Sequence, residues 1–118
     1  MMFNQAYTEQ MEDGQETARS QEREVLGNSI AMMEASNNEP EHYGKRVEAI
    51  YFTTRLWSHF LNDLASEENA NSDEMKAGLI SIGIHIMQHI EKMRQDRDED
   101  FGIVVDVSKT IYDGLKNG

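Results

Sequence analysis

Val47-Glu48-Ala49-Ile50-Tyr51-Phe52-Thr53-Thr54-Arg55-Leu56-Trp57-Ser58-His59-Phe60-Leu61-Asn62-Asp63-Leu64 is the stretch on which the fold turns. It contains no proline and no glycine. Tyr43, Val47, Ile50, Thr54, Trp57, Leu61 and Leu64 recur at steps of three and four, the spacing that puts side chains on one face of a helix. A second apolar row, Phe52, Leu56 and Phe60, lies well round the cylinder from the first. This reading predicts a helix over about 41–66, ended by the turn residues Asn69-Ala70-Asn71.

Working outward, the same period continues on both sides. Upstream, Ala18, Glu22, Val25, Ser29, Met32 and Met33 share a face, with Leu26 and Ile30 beside them. They predict a helix over about 16–37, closed by Asn37-Asn38 and by Pro40, which cannot continue a helix. Downstream, Ser72 is a good N-cap, with Asp73 and Glu74 in the first turn where the helix dipole favours anions. The helix it opens runs to about Arg94. Its main row is Leu79, Ile82, Ile86, Ile90 and Met93, and its second row is Ile80, Gly83, Ile84 and Met87. After an acidic turn, a fourth helix over about 101–116 is expected to face inward with Phe101, Val104, Val105, Ser108, Ile111, Tyr112 and Leu115.

The expected fold is therefore all-α, a compact bundle of about four helices with a short polar N-terminal arm. The arm is assigned to residues 1–15 and the single helical domain to 16–118. The second and third helices are apolar round more than the single stripe an ordinary surface helix needs. Either the first and fourth helices cover both flanks, or one flank forms a groove for a partner helix. Trp57, the only tryptophan, is expected in the core, with an interface anchor as the alternative.

Composition excludes several classes. The 118 residues carry 22 Asp and Glu against 11 Lys and Arg, a net charge of −11. Such a chain repels phosphates on average, so direct nucleic-acid binding is not expected, nor is binding to an anionic membrane. The possible basic clusters, Lys45, Arg46 and Arg55 or Lys92, Arg94 and Arg97, are interleaved with acids and are read as solvated faces. There is no cysteine, which rules out disulfides and thiolate chemistry. The opening residues lack the basic and apolar regions of a signal peptide, and no apolar run is long enough to span a bilayer. The expected location is the cytoplasm. Eight methionines favour an adaptable surface.

Candidate chemistry is sparse. His85 and His89 share a helix face and could hold a metal, but His42 and His59 lie on another helix and no third ligand is in reach of the spacing. Asp96, Asp98 and Asp100 alternate like the start of a calcium loop, yet Phe101 and Val107 stand where that loop needs glycine and glutamate. The glycines are dispersed and form no phosphate loop. No catalytic residue, no metal and no cofactor is expected, and the chain is not expected to be an enzyme.

Arg55-Leu56-Trp57-Ser58-His59-Phe60-Leu61-Asn62-Asp63-Leu64, then Glu68-Asn69, then Lys76-Ala77-Gly78-Leu79-Ile80-Ser81-Ile82-Gly83, resembles the FlaF family of alphaproteobacterial flagellar biosynthesis proteins. The ending Asp106-Val107-Ser108-Lys109-Thr110-Ile111-Tyr112-Asp113-Gly114-Leu115 is similar to that family's last helix. Three positions depart from its pattern: Asn71-Ser72 stands where Leu-Pro is usual, and Ser108 where Asn is frequent. The resemblance implies a protein that binds flagellin in the cytoplasm and promotes its secretion, its synthesis or both, as flagellum assembly and motility require. FlbT, a regulator of flagellin translation, is a further candidate partner. The alternatives are a post-transcriptional regulator of flagellin mRNA acting through FlbT, and a structural homo-oligomer. The partner-binding groove is expected to comprise Phe52, Leu56 and Phe60 with Ile80, Ile84 and Met87.

Overall fold

A computed structural model describes the backbone of residues 3–117 and the side chains of residues 20–115. Four helices follow in order: α1 (Phe3–Asn38), α2 (Tyr43–Ala65), α3 (Asp73–Gln95) and α4 (Gly102–Asn117). The described residues contain no strand. The all-α bundle expected from the sequence is the fold found. The backbone is helical from Phe3 through the segment expected as an arm. The side chains of that segment, and any docking they make, lie outside the described residues.

Local chemistry explains where the helices stop and start. Pro40 stands in the turn after α1, and His42 opens α2 by accepting a hydrogen bond on Nδ1 from the Lys45 amide at 3.3 Å. In the same turn the Glu39 carboxylate pairs with the Lys45 ammonium. The hydrogen bond from Lys45, and then its charge, hold the Glu39 carboxyl below its ordinary range. Ser72 caps α3 as expected, its hydroxyl accepting from the Met75 amide at 3.1 Å. At the other end of α3 the free carbonyls meet Arg46, whose guanidinium donates to Met93 O and Glu99 O at 2.7 Å each and to Asp96 O at 3.0 Å. The sequence places Arg46 on a solvated face. It is instead half-buried, a cap supplied by α2 to the C-terminus of α3.

The acidic turn before α4 is likewise structural. Asp96 Oδ1 accepts from the Asp98 amide and Asp100 Oδ1 from the Gly102 amide, both at 2.9 Å. Asn37 Oδ1 accepts from the Phe101 amide at 3.1 Å, which ties the end of α1 to the start of α4.

Helix packing follows a definite order. α1 packs against α2 and α4, and α2 packs against α3, whereas α3 and α4 lack the close backbone approach of those pairs. The central pair is therefore α1 and α2, not α2 and α3. The core is formed by Leu26, Ile30 and Met33 of α1, Ile50, Leu56 and Trp57 of α2, Ile86, Ile90 and Met93 of α3, and Phe101, Val104 and Val105 ahead of and on α4. At the α1–α2 contact the buried hydroxyls of Ser29 and Thr53 are hydrogen-bonded at 2.8 Å. α4 closes on α1 where Tyr112 sits over Gly27 and under the Arg23 guanidinium, 4.8 Å from its ring centroid.

The buried face of α2 is rotated from its main sequence row. Tyr43 and Val47 belong to that row yet are exposed, while Leu56 from the second row and Ala49 from neither are buried. α1 shifts similarly: Leu26, Ser29, Ile30 and Met33 are buried, and Val25 is at the surface. The inward face of α4 agrees with expectation at Phe101, Val104, Val105 and Ser108.

Candidate functional site

Because α3 and α4 stand apart, an apolar seam runs between them. Two cavities follow one another along it. The first, of about 400 Å³, lies between Met75 and Leu79 of α3 and Ile111, Gly114 and Leu115 of α4, with Trp57, Phe60 and Leu64 of α2 behind. The second, of about 490 Å³, lies between Ile82 and Ile86 of α3 and Ile103, Val104 and Val107 of α4. On α3 the row Met75, Leu79, Ile82, Ile86 repeats at steps of four and three, and on α4 so does Ile103, Val107, Ile111 and Leu115 at steps of four. Such rows each line one face of a helix, so the trough has two walls of side chains, with α2 as its floor along the first cavity.

Several of these side chains leave apolar surface in water. Met75 is 54% exposed and Ile103 62% exposed. The first cavity is flanked by the polar groups of Glu22, Asp63, Asn69 and Asn71. The second is flanked by His85, Gln88, His89 and Lys92. Lys92 also pairs with Glu99 at 2.9 Å. That hydrogen bond, followed by the carboxylate's charge, raises the Lys92 ammonium above its ordinary pKa.

The six residues expected to form a groove do not come together. Leu56 is buried in the core, and Phe60 and Met87 are partly buried against it. Phe52 and Ile80 are half-buried and Ile84 is exposed. Gly83 explains the separation. A Cβ built on it would lie 2.7 Å from Leu61 Cδ2 and 3.0 Å from Trp57 Cε3, so α2 meets α3 through Leu61 and Trp57. Phe52 is nine positions before Leu61, roughly two and a half helical turns, and so faces the opposite side of α2. Val47 and Tyr51 of α2 are exposed, as Ile84 of α3 is. Of the six, Phe60 alone lines the seam.

The residues missed from sequence are Met75, Ile103, Val107 and Gly114. Their signal was present in Ile103 and Val107, two apolar residues one turn apart and off the inward face of α4.

Other sequence candidates have structural roles here. His89 Nε2 lies 2.7 Å from the Asp100 carbonyl, joining α3 to the turn before α4. Among the described residues no three His, Asp or Glu gather into a metal-holding group. Trp57 is 1% exposed, edge-on to Phe60 with ring centroids 5.4 Å apart. Ser108 is fully buried, so the position where the resemblance places Asn is an internal one. Among the described residues no helix is long and apolar enough to cross a membrane.

These features define a small all-α bundle protein with an open, apolar seam between α3 and α4. The family model described as flagellar protein FlaF matches residues 3–115, nearly the whole chain, and the chain belongs to the FlaF family. It is thereby a flagellar-related protein. No curated protein and no solved structure matches it significantly.

Proposed function

We propose that this chain binds flagellin in the cytoplasm and promotes its secretion, its synthesis or both, acting by binding rather than by catalysis. The observation that carries this reading is the open seam between α3 and α4, in a chain whose family is flagellar. Flagellins end in amphipathic helices that stay unpaired before assembly. A helical trough with two apolar walls suits such a segment, because an amphipathic helix laid into it hides its own apolar face and the walls together. At roughly 25 cal/mol per Å² of apolar surface removed from water, a few hundred Å² buried on the two sides amounts to several kcal/mol before the losses of association.

The test is a binding measurement against purified full-length flagellin, and against flagellin lacking either terminal helix, with and without FlbT. Saturable binding without FlbT that is lost on removal of one terminal helix is the expected result. Absence of binding to full-length flagellin without FlbT overturns the reading, and binding that appears only with FlbT supports regulation through that partner instead.

A further inference from the structure

We infer that Met75 is a modification site: its thioether is placed for two-electron oxidation by a peroxide, and the sulfoxide it becomes lowers the affinity of the first cavity for apolar surface. That the surface concerned belongs to flagellin rests on the functional reading above.

Access singles out this residue. The chain has no cysteine, so all of its sulfur is thioether. Met33 and Met93 are fully buried in the core, and Met32 and Met87 are partly buried against it. Met75 is more than half exposed, the one exposed methionine among the described residues. An oxidant must touch the sulfur, so Met33 and Met93 react only when the core opens, whereas Met75 reacts in the folded chain.

The fold confines the consequence to the cavity. The backbone of Met75 is held in the first turn of α3, where the Ser72 hydroxyl accepts from its amide at 3.1 Å. Its side chain is not part of the core cluster. It shares the cavity lining with Leu64, Leu79, Ile111 and Leu115 instead.

The step balances with hydrogen peroxide as the oxidant. The sulfur gives an electron pair to one peroxide oxygen as the O–O bond breaks. That oxygen stays as S=O, and the other leaves as water with both hydrogens. A flexible apolar side chain thereby becomes a polar, chiral one. Covering an S=O with apolar surface that offers it no donor costs free energy, so apolar contact there weakens. A dithiol reverses the step, taking the oxygen off as water while it closes to a disulfide.

The test treats the full chain with dilute hydrogen peroxide and follows the sulfoxide at each methionine by peptide mass spectrometry. Met75 should oxidise at least about tenfold faster than Met33 and Met93. Met33 or Met93 oxidising as fast as Met75 overturns the site. Treated chain, freed of peroxide, should keep its helical circular dichroism and the emission maximum of the buried Trp57. Loss of either overturns the confinement to the cavity. Affinity of the treated chain for untreated flagellin should fall by about tenfold, and reduction by a methionine sulfoxide reductase should restore it. Met75→Leu, close in volume, should bind before treatment and keep its affinity afterwards. Treated Met75→Leu chain that weakens as wild type does places the effect on another methionine and overturns the inference, as does treated wild-type chain that binds unchanged. Wild-type chain that does not bind flagellin before treatment overturns the functional reading and this consequence together, while the oxidation of Met75 is decided on the chain alone.

Discussion

Replacing Arg46 by methionine keeps the aliphatic stem and deletes the guanidinium. That group makes three hydrogen bonds, to Met93 O, Glu99 O and Asp96 O, and so serves the C-terminus of α3 and the following turn at once. A net 0.5–1.5 kcal/mol per bond would sum to about 1.5–4.5 kcal/mol. Arg46 is half-buried, so water replaces part of what is lost and the lower half of that range applies. The expected destabilisation is about 2 kcal/mol, which for a domain of this size lowers Tm by about 8 °C. Urea unfolding followed by circular dichroism measures it, with an unchanged m-value if the native and unfolded states keep their exposure. Arg46→Lys, which can reach only one or two of the carbonyls, should fall between. Hydrogen exchange should speed up first at the amides near the end of α3, because that is where the carbonyls lose their donors. A Met variant within about 0.5 kcal/mol of wild type, with no local change in exchange, would refute the capping argument.

Other substitutions test the packing. Ser29→Ala and Thr53→Val each leave one buried hydroxyl without its partner and should cost about 1 kcal/mol, whereas the double variant should cost at least about 0.5 kcal/mol less than their sum in a urea double-mutant cycle. Additive costs would show that the two hydroxyls do not interact. Gly83→Val forces atoms into space already taken by Leu61 and Trp57, and should destabilise by about 2 kcal/mol or more with a shift in the fluorescence of the single tryptophan. An unshifted spectrum at full stability would contradict the close approach of α2 and α3. Glu39→Gln tests the pairing with Lys45. Because the folded carboxyl sits below its unfolded value, the pairing contributes above the ordinary carboxylate range and is lost as pH falls through the folded value. The stability gap between wild type and Glu39→Gln should therefore be flat near neutrality and vanish in acid; a gap that widened on acidification would refute it.

Element existence was readable because helical periodicity is local. Ser72 and Pro40 bound helices through contacts with their own neighbours, and both act where the sequence placed them. The orientation of each helix was less readable. Two apolar rows on α2 were both visible, yet a row does not state which neighbour covers it. Tyr43 and Val47 lost burial and Leu56 gained it because α1 sits on one side of α2 and α3 on the other. Arg46 shows the same limit. Its partners lie about fifty residues away, so no local pattern could distinguish a cap from a solvated cation.

From the sequence by itself came the all-α class, the four helices, the family and the absence of thiol chemistry, since each rests on residue type or on spacing within one segment. Only the tertiary structure decided which face of α2 is core, which pair of helices is central, and that two apolar cavities lie between α3 and α4. The reason is physical. Helical spacing fixes angles about one axis, whereas a groove exists only between two, and the separation of α3 from α4 is set by how Gly83, Trp57 and Leu61 bring α2 to α3 and how Gly27 and Tyr112 bring α4 to α1.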